Sequence, residues 1–150
     1  MAIDNCCYTF SQLATEVLPG YMRVLEQHMQ EPMPMARFAV QGVGPVAIAR
    51  SLGLGSDFPG CYVLLDDGRP FYTGISQTVL RRLRHHVLGE SHNVASLAYM
   101  LAAAGSAYTG ARADRMRDPG FAAIFEEERA HLRGMSVAFV AIENAVERYL

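Results

Sequence analysis

Between residues 10 and 29 the apolar positions fall three to four apart: Phe10, Leu13, Val17 and Leu18, then Met22, Leu25 and Met29. That spacing marks one face of a helix, and the Pro19-Gly20 step inside it predicts two short helices or one kinked one. Residues 31–60 lose the period and are rich in Pro and Gly, with one short helix expected at 45–52. The pattern then changes to β-branched and aromatic runs, "CYVLL" at 61–65 and "PFYTG" at 70–74, on either side of "DDGR", which predicts a β-hairpin. Helical spacing returns over 77–89, where Val79, Leu80, Leu83 and Val87 should face inward and Gly89 should close the helix. A largely apolar helix follows at 92–105, then a helix opened by Asp118 and Pro119 and ending at Gly134. An apolar strand at 135–143 and a last helix begun by "NAVERYL" complete the chain.

These elements predict an α/β (α+β) fold: a small three-stranded, mainly antiparallel sheet flanked by helices. Residues 1–58 read as a helical N-terminal extension and 59–150 as the domain proper.

Loop length decides which hairpin side chains share a face. A three-residue loop, Asp66-Asp67-Gly68, pairs Leu65 with Arg69 and sets Tyr62 opposite Tyr72. A two-residue turn, Asp67-Gly68, pairs Tyr62 with Thr73 instead and sends the two rings to opposite faces. The sequence permits both.

The composition of this 150-residue chain narrows the partners. At a formal net charge of −2, its global field does not draw in a polyanion, so contact with nucleic acid requires a local basic patch. All 13 basic residues are arginine. That excludes lysine nucleophiles and Schiff bases, and suits bidentate phosphate contact. Cys6, Cys7 and Cys61 are odd in number and lack zinc-type spacing, which fits reduced thiols in a cytoplasmic setting. The opening "MAIDNCCYTF" has no basic and apolar leader pattern, and no apolar run approaches membrane-spanning length, so no membrane partner is expected.

The candidate chemistry sits in the hairpin and the helix after it: Gly-Cys-Tyr ending at Tyr62, Tyr72-Thr73-Gly74, then a helix carrying Arg82 and His86. This arrangement resembles the GIY-YIG endonuclease superfamily over roughly residues 59–150. In that family the essential arginine lies eight residues beyond the second motif's glycine, which here is Arg82. Cys61 and Thr73 stand where the family usually has apolar residues. The resemblance implies metal-dependent hydrolysis of DNA phosphodiester bonds. Tyr62 would be the general base or base relay, Tyr72 a second phenol ordering water or phosphate, Arg82 the phosphate clamp and His86 a proton shuttle or phosphate contact. Gly74, Ser76, Arg81, Arg84 and His92 would lie along the substrate. A phenol with a pKa near ~10 serves as a base only if positive charge lowers it, and Arg82 or a metal ion is the natural source.

The family also implies Mg2+ or Mn2+ held by a glutamate on the last helix. Aligning "NAVERYL" there puts that position about two residues beyond Leu150. Glu147, roughly one and a half turns earlier, is the available substitute ligand.

Two other functions remain open: a non-catalytic nucleic-acid- or protein-binding module on the same fold, and a toxin-like nuclease with an immunity partner. Residues 1–58 offer a surface for a protein partner or a homodimer. The plainer readings are packing tyrosines on strands, a solvated basic helix face at 81–86, and a solvated acidic face at Glu126, Glu127 and Glu128. Arg112, Arg115 and Arg117 either extend a nucleic-acid surface or lie on a solvated loop.

Overall fold

After a 3-10 turn at Ile3–Asn5, Thr9 opens the first α-helical segment of the computed structural model, which describes residues 3–150, by a reciprocal cap with Gln12. The helical path runs through α1 (Phe10–Gln12), a π-turn (Leu13–Val17) and α2 (Leu18–Gln30). Pro19 has no N–H to give to an ordinary helical bond, and its ring crowds the preceding turn. The wider π-turn, in which Leu18 N–H reaches Leu13 O, admits it. Of the two predicted forms, the chain takes a continuous helical path with a local widening.

β1 (Met33–Pro34) follows, then a 3-10 turn at Met35–Ala39 and α3 (Pro45–Ser51). The hairpin is β2 (Gly60–Asp66) and β3 (Arg69–Ser76). It leads into α4 (Val79–Leu88), α5 (Ser96–Ala104), α6 (Arg112–Arg117) and α7 (Pro119–Gly134). β4 (Ser136–Ala141) and α8 (Ala145–Tyr149) complete the order. The segment at 112–117, for which a loop was one expectation, is thus a short helix.

The sheet has four strands in the order β1-β4-β2-β3, with every pairing antiparallel, rather than the three expected. The additional strand is only two residues long and contains a proline. It therefore carries no alternation to read, and its edge position tolerates the missing N–H.

Both faces of the central strands β2 and β4 are covered. Tyr62, Leu64 and Val137 point into the larger core with Val79, Leu80, Leu83 and Val87 of α4, all four expected inward. Val63, Leu65, Ala138 and Val140 point the other way and pack with Leu25 of α2. Met35, Phe38, Ile48 and Ala49 sit in the larger core, and β1 is part of the sheet. The described part of 1–58 thus shares sheet and core with 59–150; residues 1 and 2 lie outside the described residues. No helix among the described residues is long and apolar enough to cross a membrane.

Candidate active site

The hairpin turn is the two-residue one. Asp67 and Gly68 both have positive φ, at 48° and 75°, and Asp66 pairs with Arg69. Two consecutive positive φ angles are those of a type I′ turn, whose twist matches the strands. Tyr62 nevertheless does not face Thr73. The register shifts between Leu64 and Leu65, so Leu65 pairs with Pro70, Leu64 with Tyr72 and Tyr62 with Gly74. The bulge places Phe71 outside the pairing and restores the parity that the short turn had lost. Both sequence-level registers are therefore corrected. The tyrosines are diagonal neighbours on one face, with ring centroids 6.3 Å apart.

Gly74 makes room for this arrangement. A Cβ there would lie 2.3 Å from both Cζ and the hydroxyl of Tyr62, so the ring lies directly across the glycine. Gly74 is buried beneath that ring rather than lining a substrate surface.

α4 supplies the remaining groups. Thr78 gives it no side-chain cap. The cap comes from Asp57, whose Oδ1 accepts from Phe58 N–H and Leu80 N–H and whose Oδ2 accepts from Arg81 N–H. The helix then turns His86 into the core and leaves Arg82, one turn earlier, half-buried. His86 is 0% exposed and Tyr62 1%, with 2.7 Å between Nε2 and the phenol oxygen. The Tyr72 ring packs edge-on to His86, with centroids 6.0 Å apart. Arg82 donates from Nη2 to Ser96 Oγ at 2.9 Å, and no described carboxylate lies within ion-pair distance of it.

Burial pushes the Tyr62 phenol up to about 12, with the neighbouring Tyr72 acting the same way and Arg82 pulling against them. Burial, followed by the charge of Arg82 and by His85, pulls His86 down to about 3. The positive charge expected to activate Tyr62 is in place, but desolvation outweighs it. Both groups are neutral at pH 7, so we assign the Tyr62 O–H as donor to Nε2. The ring proton then lies on Nδ1, which has no hydrogen-bond partner among the described residues.

The other sequence-level candidates have separate surroundings. Ser76 Oγ accepts from Thr78 N–H and shapes the link from β3 to α4. The Arg81 side chain is exposed. Arg84 ties α4 to the 3-10 turn, donating to Val40 O at 3.0 Å and Phe38 O at 3.4 Å. His92 packs against Tyr99, with centroids 5.8 Å apart. Glu147 is 7% exposed and accepts from the Tyr21 hydroxyl at 2.6 Å. It lines a groove with Cys61 and Ile75, on the sheet face opposite Tyr62.

The sheet stands between Glu147 and the tyrosine-histidine pair, and its carboxylate is already engaged by Tyr21. No group of three His, Cys, Asp or Glu side chains among the described residues is placed to hold a metal. Glu147 therefore does not fit the Mg2+ or Mn2+ that the resemblance implies.

Asp57 and Ser96 were not visible as site residues. Asp57 reaches α4 from beyond a whole hairpin, and Ser96 is an ordinary first-turn hydroxyl until Arg82 is set beside it. Comparison with family models, curated proteins and solved structures finds no match to this chain.

Proposed function

We propose that this chain is a phosphodiester-hydrolysing module of the GIY-YIG endonuclease type, acting on DNA. One observation carries the reading: Tyr62, Tyr72 and His86 are gathered on one sheet face beside an arginine that has no carboxylate partner among the described residues. Arg82 binds the phosphate and offsets charge on the transition state. Tyr72, half-exposed, orders the attacking water.

Tyr62 and His86 act as a relay. Water gives its proton to the half-exposed Tyr72 hydroxyl as that hydroxyl's own proton moves to the Tyr62 phenol oxygen and the phenol's to Nε2, so no free phenolate forms. Phosphate on Arg82 assists this transfer, because it offsets a charge that holds His86 low.

The burial of Tyr62 and His86, together with the position of Glu147, favours a second reading, in which the same face binds DNA without cutting it. Nicking of supercoiled plasmid in Mg2+ or Mn2+ separates the two. The first reading expects nicking that Arg82→Ala reduces at least ~100-fold, as loss of one transition-state donor does. Binding without nicking supports the second, and nicking unchanged in Arg82→Ala overturns the site assignment.

A further inference from the structure

The site's basic surface does not end at Arg82. Its guanidinium is fixed to Ser96 at the start of α5, and one turn along the same helix the Tyr99 ring carries a second arginine, with Arg112 Cζ 5.3 Å from the ring centroid. Three residues of helix rise separate these anchor points by roughly 4.5 Å. His92 packs against the same Tyr99 ring, with centroids 5.8 Å apart. Arg115 shares the Arg112 side of α6, is half-buried, and has an Nε with no hydrogen-bond partner among the described residues.

The nearby carboxylates are engaged elsewhere. Asp114 pairs with Arg117 at 3.3 Å, and Asp118 caps α7 through Gly120 N–H and Phe121 N–H. Neither Arg82 nor Arg112 has an acidic group within ion-pair distance among the described residues. In a chain of net charge −2, Arg82 on α4 and Arg112 on α6 are cations without an acidic partner among the described residues, both anchored on α5.

We infer that Arg112, presented by Tyr99, binds a second phosphate of the DNA strand held by Arg82, so that α5 carries that strand from Arg82 to Arg112. The inference rests on the phosphodiester reading of Arg82. Stacking on Tyr99 fixes the guanidinium plane while leaving its N–H edge free for a phosphate. Arg112 thereby sets where the strand lies and takes no part in the chemical step.

The test is the salt dependence of binding to a fluorescein-labelled DNA duplex, measured by anisotropy for wild type, Arg112→Ala, Arg112→Lys and Arg82→Ala. Loss of one phosphate contact lowers the slope of log K against log salt by about 0.9. Arg112→Ala is expected to show that loss with several-fold weaker binding, while its melting temperature stays near wild type. Arg112→Lys should retain the slope.

Wild-type slope and affinity in Arg112→Ala, alongside weakened binding in Arg82→Ala, overturn the strand path and leave the Arg82 site standing. If Arg82→Ala also binds as wild type, or if the wild type shows no salt-dependent binding, the phosphodiester reading falls with it.

Discussion

The Tyr62 hydroxyl and His86 Nε2 meet at 2.7 Å with both side chains sealed from solvent, and the two groups are driven to opposite ends of the pH scale. His86 stays neutral down to about pH 3, whereas its unfolded value is 6.5. Between those values the unfolded chain binds more protons. The contribution of His86 to stability is therefore whole above about pH 6.5 and is lost as pH falls toward 3, at about 1.4 kcal/mol per pH unit. Urea unfolding of wild type and His86→Gln should show a stability gap that is widest at neutral pH and closes by a few kcal/mol on acidification. A gap independent of pH contradicts the neutral, buried imidazole.

Gly74 is set by the ring above it. Gly74→Ala places a methyl inside the Tyr62 ring, and that ring is held by His86 and cannot swing away freely. Overpacking of this kind costs about 1–3 kcal/mol. Denaturant midpoints should fall accordingly and nicking should fall with them; a variant as stable as wild type contradicts the close approach.

Asp57 caps α4 from outside its own segment, accepting from the N–H groups of Leu80 and Arg81. Asp57→Ala removes those acceptors at a cost of about 0.5–2 kcal/mol. Because the same helix carries Arg82 and His86, DNA binding should weaken in parallel. Amide exchange at Leu80 and Arg81 should rise by more than at residues deeper in α4, and unchanged exchange there contradicts the cap.

Glu147 tethers α8 to α2 through Tyr21, whose phenol is pushed up to about 12, by burial first and by Glu147 second. Glu147→Ala should lower stability by about 0.5–1.5 kcal/mol, since it removes the hydrogen bond of the half-buried Tyr21 hydroxyl. Glu147→Gln should recover most of that loss. Neither should alter DNA binding, and a binding defect in Glu147→Gln contradicts its placement away from the site.

Much of this arrangement was legible from pattern alone. The inward face of α4 and the Asp118 cap of α7 follow from residue spacing and local chemistry, and the structure has both. The hairpin was legible as a hairpin, but its register was not: Phe71 looks like any strand residue, and nothing local marks it as the extra one. β1 was hidden because two residues carry no period. The shared face of Tyr62 and Tyr72 was reached from the sequence as one of two alternatives, and the chain arrives at it by a bulge rather than a longer turn. The position of Glu147 was not legible, because the alternation of faces in β2 separates it from Tyr62 only once the sheet is assembled.

The most direct test of the central claim, that the face bearing Tyr62, Tyr72, Arg82 and His86 handles a phosphodiester, is the affinity of Arg82→Ala for a labelled DNA duplex beside wild type at one fixed salt concentration. The account predicts binding at least ~10-fold weaker, the loss of one charge-assisted phosphate contact, with the melting temperature little changed. Equal affinity in the two proteins contradicts it.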